Sequence, residues 1–106
     1  MSDDGQTAPG CNTLILSACL TERGVMRYTP AGVPVMEGRL VHRSEQLEAG
    51  IGRQIGFEVG AVAMGDVAHA FAQIQPGSRL TVTGFLAPLR RSSRILRVHL
   101  TRIDLN

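Results

Sequence analysis

The stretch that decides the fold is GDVAHAFAQIQPG, residues 65–77. Near its start stands Asp66, a residue type that caps helix N-termini through its side-chain oxygen. The apolar residues that follow recur at helical spacing: Val67, Ala70, Phe71 and Ile74. Pro76 and Gly77 end the run, because proline lacks the amide hydrogen that a helix interior needs. The pattern predicts one short helix, with Phe71 in the core.

Extended segments lie on both sides of this helix. The first, NTLILSACLT, alternates with the period of two that is typical of a half-buried strand. Its inward residues are Leu14, Leu16, Ala18 and Leu20. In all, three extended segments precede the helix and two follow it: residues 12–21, 25–43, 53–65, 78–88 and 94–105. Pro30 and Pro34 place a turn, a bulge or a sheet edge inside the second segment, because proline cannot donate a ladder hydrogen bond.

Two features shape the rest of the chain. The polar segment SEQLEAGIG, residues 44–52, is predicted to be a loop. In the last strand, Leu96, Val98 and Leu100 are predicted to face inward. The apolar phase then changes before Ile103, which indicates either a bulge or the end of the strand near a barrel rim.

Five strand regions, with glycines inside the third, are typical of a small closed barrel. A helix between the third and fourth strands is what an OB-fold has. The sequence therefore predicts an all-β protein: an OB-fold, a five-stranded Greek-key barrel with one short helix between strands 3 and 4.

The chain length of 106 residues suits one domain. Residues 1–11 are small and polar, so we expect a flexible N-terminal tail ahead of a domain spanning 12–106. No apolar run approaches the roughly 20 residues that a membrane-spanning helix needs. The first residues are acidic where a secretory signal would be basic, so we expect a cytoplasmic protein.

The positive charge is concentrated towards the C-terminus. All eleven basic residues are arginines, and the formal net charge of the whole chain is +2. From Arg79 onward, six arginines face the single carboxylate of Asp104, a local net charge of +5. Such a field attracts polyanions and accelerates their association.

The sequence contains little evidence for a catalytic site or a metal site. Cys11 and Cys19 lie eight residues apart on one extended segment, about 26 Å if fully extended, which is too far for a disulfide. We expect both thiols to be reduced. His42, His69 and His99 have no cysteine or carboxylate at ligand spacing, and no nucleotide-binding or hydrolase motif is present. We expect no enzymatic activity, no cofactor, no metal and no small-molecule substrate.

The segment RYTPAGVPV, residues 27–35, resembles the strand-turn signature of the bacterial single-stranded DNA-binding protein family. The segments NTLILSACL, HRSEQLEAG and QPGSRLTVTGFL fall in the order that this family has them, so the resemblance covers residues 12–105. The segment VHRSEQLEAGIGRQ, residues 41–54, and the compact length resemble the PriB branch of the family, and we expect no glycine-rich acidic tail after Asn106.

This resemblance implies an OB-fold homodimer that binds single-stranded DNA. It also implies primosome partners: the restart helicase PriA, whose complex with DNA the protein would stabilise, and other proteins that help to reload the replicative helicase.

Two positions depart from the family pattern. Where its members carry base-stacking aromatic residues, this chain has Ile51 and Gly56. A base stacked on an aromatic ring contributes about 1 to 3 kcal/mol, so their loss would shift DNA binding towards electrostatics. Phe57 would replace the second aromatic only if the strand register moved by one residue, which reverses the face of every side chain.

The candidate binding residues follow from the loop position and the resemblance. An OB-fold binds single strands across strands 2 and 3, between the loops that join strands 1–2 and 4–5. The resemblance assigns a nucleic-acid-binding role to seven residues: Arg90, Arg91, Arg94, Arg43, Arg27, Tyr28 and Phe57. Tyr28 either stacks on a base or packs beside the turn at Pro30. Arg97 has no counterpart in the family's binding face, and we assign it to solubility.

Two other functions stay open at this point. The missing aromatic residues are compatible with a protein-interaction adaptor whose nucleic-acid binding is weak. An RNA-binding OB module is compatible with the same residues.

Overall fold

The computed structural model describes residues 9–106. Its strands are β1 (Leu14–Arg23), β2 (Arg27–Tyr28), β3 (Pro34–Glu48), β4 (Ile51–Met64), β5 (Arg79–Pro88) and β6 (Leu96–Leu105), and its helix is α1 (Asp66–Ala72). Of the predicted tail, residues 1–8 lie outside the described residues. Residues 9–11 are exposed and belong to no helix or strand.

Five of the six strands close into a barrel. β5 lies between β1 and β6, β4 joins β6 to β3, and β3 pairs with β1 to complete the circle. The β4–β6 pairing is parallel, over residues 60–63 and 97–100, and the other pairings are antiparallel. The two-residue strand β2 extends the sheet beside the start of β3. The predicted OB-fold barrel is confirmed.

Apolar side chains from every barrel strand fill the interior. Leu20, Leu40, Leu80 and Val98 are at most 1% exposed, and they belong to one cluster with Phe71 of α1. Complete burial of a side chain of this size contributes about 1.5 to 3 kcal/mol, so this cluster supplies much of the driving force for closure. The predicted inward residues of the first strand are confirmed.

The helix α1 lies where predicted, but its details differ. Gly65, not Asp66, occupies the N-cap position, with a φ of 75° that residues with a Cβ rarely adopt. Asp66 is the first helical residue, where its negative charge interacts favourably with the positive end of the helix dipole. The buried residue one turn before Phe71 is Ala68, and the predicted Ala70 is exposed, because positions three apart share a helix face. Within residues 9–106, no helix is long enough to span a membrane.

The largest difference from the sequence prediction lies in the hairpin of β3 and β4. Residues 44–52, predicted to be a loop, are paired strands that continue to Glu48 and Ile51. Only Ala49 and Gly50 form the turn, with φ values of 54° and 78°. Two positive φ values match the tight turn whose twist suits a β-hairpin. The loop prediction is therefore wrong, and the hairpin extends well beyond the barrel.

The predicted bulge in the last strand is confirmed. Thr83 pairs with Arg102, whereas the next residue, Gly84, pairs with Leu100, so Thr101 is the extra residue on β6. A Cβ built on Gly84 would lie 2.0 Å from the carbonyl oxygen of His99. Only glycine permits the strands to approach so closely at this point.

The start of β6 departs from the expected burial. Val98 and Leu100 are buried as predicted, but Leu96 is 48% exposed. Leu96 is the first residue of β6 and pairs with Pro88, the last residue of β5, so it lies at the end of the barrel beyond the packed core. The prediction of an inward Leu96 is wrong.

Candidate nucleic-acid interface

The basic loop joins β5 to β6 over residues 89–95 and forms a closed turn. The backbone amide of Leu89 donates to the carbonyl oxygen of Ile95 at 2.8 Å, and that of Ser93 donates to the carbonyl oxygen of Arg90 at 2.9 Å. The hydroxyl oxygen of Ser93 accepts a further hydrogen bond from the amide of Ile95 at 2.9 Å. The backbone hydrogen bonds are thus made inside the loop, which leaves its arginine side chains to face outward.

Arg90, Arg91 and Arg94 are exposed on this loop. None of the three forms an ion pair with a carboxylate of residues 9–106. A guanidinium group without a carboxylate partner keeps its donors free, and its fork matches two oxygens of a phosphate. The loop therefore has the chemistry of a phosphate contact.

Five other arginines are bound to carboxylates. The described ion pairs join Arg27 and Arg97 to Glu37, Arg39 to Glu58, Arg53 to Glu48 and Arg102 to Asp104. An anion that binds at one of these arginines must compete with the carboxylate. This distinction divides the predicted site, because Arg27 is paired whereas the loop arginines have no such partner.

The carboxylate of Glu37 accepts from two strands at once. Its Oε2 atom lies 2.8 Å from Nη2 of Arg27 and 3.0 Å from Nη1 of Arg97. Partial burial raises the pKa of Glu37, but the hydrogen bonds and charges of Arg27 and Arg97 outweigh it, so the pKa lies below its ordinary value. Glu37 is therefore a stable anion at neutral pH.

The assignment of Arg97 to solubility is wrong. Its side chain is only 18% exposed and is bonded to Glu37, so it links β6 to β3 across the outer surface of the barrel. The paired strand register places Arg97 beside Gly60, whose missing side chain leaves room for it. Arg97 is a structural residue.

The hairpin of β3 and β4 places its two predicted binding residues on opposite faces. Arg43 pairs with Gly56, whereas Phe57 pairs with His42, and neighbouring residues of a strand point to opposite sides. The ring of Phe57 lies 5.0 Å from that of His42 on the inward-facing side. No register shift brings Phe57 to the position of the missing aromatic residue, so Arg43 and Phe57 do not share one surface.

Tyr28 is 61% exposed on β2 and pairs with Pro34. The preceding residue, Arg27, pairs with Val35 and points to the other face. The structure therefore brings Arg27, but not Tyr28, to the surface that holds Glu37 and Arg97.

A groove of about 410 Å³ lies between the basic loop and the hairpin. We call it the central groove; its lining residues are 22–24, 37–39, 58–61, 89 and 95–97. Three arginines in it, Arg23, Arg39 and Arg97, are matched by three glutamates. The central groove is therefore close to neutral, and Arg90, Arg91 and Arg94 are not among its lining residues.

One aromatic pair was not expected from the sequence. The rings of Phe85 and His99 are stacked, with centroids 5.0 Å apart and planes 12° from parallel, on directly paired residues of β5 and β6. Burial, and then the charge of Arg97, lower the pKa of His99 below its ordinary value, so its neutral form is favoured. This pair follows from the register of β5 and β6. The register depends on the exact position of the bulge at Thr101, which the sequence pattern does not reveal.

The comparisons with known proteins agree with this geometry. A family model described as "Another single-strand binding protein family" matches residues 12–102. The replication restart protein PriB of Bordetella pertussis is 48% identical over 89 residues, which cover 84% of this chain and 83% of that protein. The PriB of Nitrosomonas europaea is 40% identical over 102 residues, 94% of each chain. The chain belongs to the PriB family.

Solved structures support the same conclusion. The PriB of Ralstonia solanacearum matches with a TM-score of 0.83 at 38% identity, over 92% of this chain and 99% of that one. A deletion mutant of the single-stranded DNA-binding protein of Thermus aquaticus matches with a TM-score of 0.71 at 23% identity, over 92% of this chain and 51% of that one. The second match concerns the fold alone, and it agrees with the barrel described above.

The described part of this PriB-family chain contains no grouping of three His, Cys, Asp or Glu residues that could hold a metal ion. Cys11 and Cys19 are both free thiols, the first exposed and the second partly buried. The exposed arginines of this surface can form charge-assisted hydrogen bonds with anions.

Proposed function

We propose that this protein binds single-stranded DNA as an accessory protein of replication restart. The observation that carries the proposal is the closed turn on which Arg90, Arg91 and Arg94 are exposed without a carboxylate partner among residues 9–106. In an OB-fold this loop flanks the path of a bound single strand. Arginines in this position would contact phosphates as the strand passes.

The seven predicted residues have unequal parts in this proposal. The loop arginines make the primary phosphate contacts, and Arg43, exposed on the outer face of β3, extends the binding surface along the hairpin. Arg27 contacts the strand only with a guanidinium group that is also bonded to Glu37. Tyr28 and Phe57 face away from this surface, so their contribution requires a strand that wraps around the edge of the domain.

Membership of the PriB family supports the finer parts of the proposal. The protein acts in the cytoplasm as a homodimer, joins the restart helicase PriA on DNA, stabilises that complex and helps to reload the replicative helicase. Non-covalent binding is its whole activity, with no catalytic step of its own.

A second candidate function is a protein-interaction adaptor that binds DNA weakly. The central groove favours it, because three carboxylates offset its three arginines and leave little net attraction for phosphate. Ile51 and Gly56 favour it as well, because the family resemblance implies base-stacking aromatic residues at these two positions.

Titration of a fluorescently labelled oligo-dT at near-physiological salt tests the proposal. We expect submicromolar affinity for oligo-dT and weaker competition by a duplex of the same length. Millimolar binding together with intact capture of PriA would support the adaptor instead. Stronger competition by an RNA oligonucleotide of matched sequence than by its DNA counterpart would indicate an RNA-binding module and contradict the proposal.

A further inference from the structure

The side chain of Arg43 lies over Gly56 on the outer face of the hairpin. A Cβ built on Gly56 would be 3.9 Å from both Cγ and Nη1 of Arg43, so the stem and the guanidinium group both contact this position. The two residues are direct cross-strand partners. The Arg43 side chain is therefore folded across the sheet, although it is exposed on its other side.

Arg39, four residues earlier on the same face of β3, provides the comparison. It also reaches over a glycine, since its Nη1 lies 3.8 Å from the point where a Cβ of Gly60 would be. Its Nε, however, is bonded to Glu58 at 3.4 Å. Arg43 has no carboxylate partner within residues 9–106, so its guanidinium group is the one of the two that is available to a ligand.

An aromatic side chain at position 56 would occupy the volume that Arg43 fills in this chain, because Cγ and Nη1 of Arg43 lie within contact distance of a Cβ built there. A guanidinium group is planar, weakly hydrated, and able to stack on the face of a nucleobase. Arg43 lies beside the position where a Gly56 side chain would be, and it is exposed to solvent.

We propose that the guanidinium group of Arg43, supported by Gly56, is a platform on which a base of single-stranded DNA stacks. The proposal rests on the proposed function, since it requires that the protein binds single-stranded DNA. It assigns to Arg43 a contact with a base, in contrast to the phosphate contacts of Arg90, Arg91 and Arg94. The absence of a large side chain at position 56 leaves room for this platform.

The test compares two ligands of equal length and charge, oligo-dT and an oligomer composed of abasic sites. The variants are Arg43→Ala and Arg43→Lys, and the control is Arg102→Ala, whose guanidinium is bonded to Asp104. If Arg43 stacks on a base, both Arg43 variants bind oligo-dT at least about fivefold more weakly than the unmodified protein. The affinity of Arg43→Lys for the abasic oligomer should change less than twofold, because lysine keeps the positive charge. Lysine has no planar group, so it does not restore stacking on oligo-dT.

Substitutions at Gly56 provide a second measurement that leaves Arg43 intact. Gly56→Ala should bind as the unmodified protein does, since the added Cβ would be 3.7 Å or more from its neighbours, an ordinary contact distance. Gly56→Leu should weaken binding to oligo-dT and leave the abasic oligomer unaffected, because the larger side chain displaces the guanidinium group.

Three results would overturn the proposal. If Arg43→Ala loses the same affinity for both ligands and Arg43→Lys restores that affinity, Arg43 contacts a phosphate and not a base. Unchanged binding of oligo-dT by Arg43→Ala would remove it from the interface. Failure of the unmodified protein to bind oligo-dT would instead contradict the proposed function, and this inference with it.

Discussion

Arg97 of β6 donates to the carboxylate of Glu37 of β3 at 3.0 Å, across a stretch of sheet in which β4 separates the two strands. The same carboxylate oxygen accepts from Arg27 of β2. One partly buried anion thus connects three strands on the outer surface of the barrel. This arrangement separates the arginines that hold the fold together from those that are free to bind a ligand.

Arg97→Ala should lower the free energy of unfolding by about 1.5 to 3 kcal/mol, the usual contribution of a hydrogen bond to a charged group. The control is Arg102→Ala, whose ion pair with Asp104 is largely exposed and should contribute less than about 1 kcal/mol. Urea denaturation measures both. A fully stable Arg97→Ala variant with a reduced salt dependence of DNA binding would show that Arg97 binds phosphate and is not structural.

Gly84→Ala should destabilise the barrel by at least about 2 kcal/mol, because overpacking that backbone atoms cannot relieve is costly. The added Cβ would meet the carbonyl oxygen of His99 at 2.0 Å and force β5 and β6 apart. Gly56→Ala is the matched control, since the same methyl group has room on β4. Equal thermal stability of the two variants would contradict the close approach at the bulge.

The stability of the protein should depend on pH through His99. Burial and the charge of Arg97 lower the pKa of His99 in the folded state below 6.5. Between the lowered pKa of the folded state and the ordinary value of about 6.5 in the unfolded chain, the unfolded chain binds more protons than the folded protein. Stability is therefore complete above about pH 6.5 and falls as the pH decreases through that window.

His99→Phe keeps a ring against Phe85 and removes the titrating group, so it tests this dependence. The difference in unfolding free energy between the two proteins should be constant above neutral pH. Below about pH 6.5, the unmodified protein should lose stability relative to the variant. Parallel pH profiles throughout would contradict the lowered pKa.

The barrel was predictable because its signals are local. Alternating apolar residues such as Leu16 and Leu20 define a strand, and the spacing of Phe71 and Ile74 defines the helix. The arms of the hairpin beyond the barrel lack this signal, because neither of their faces packs on the core. The turn itself was concealed by Ala49, a residue type that seldom adopts a positive φ.

The site was predictable only in part. Exposure of Arg90 and its neighbours follows from their place in a short polar loop. The role of Arg97 depends on Glu37, which lies 60 residues away in the chain and becomes its neighbour only through the closed barrel. The relation of Arg43 to Gly56 likewise depends on the register of two strands, which composition and periodicity do not determine.

The salt dependence of DNA binding by the triple variant Arg90→Ala, Arg91→Ala, Arg94→Ala tests the central claim most directly. Each phosphate neutralised on a single strand contributes about 0.7 to the slope of log affinity against log salt. Loss of three contacts should therefore reduce the slope by about 2, with an unchanged unfolding free energy. A slope identical to that of the unmodified protein would show that the loop does not bind the strand.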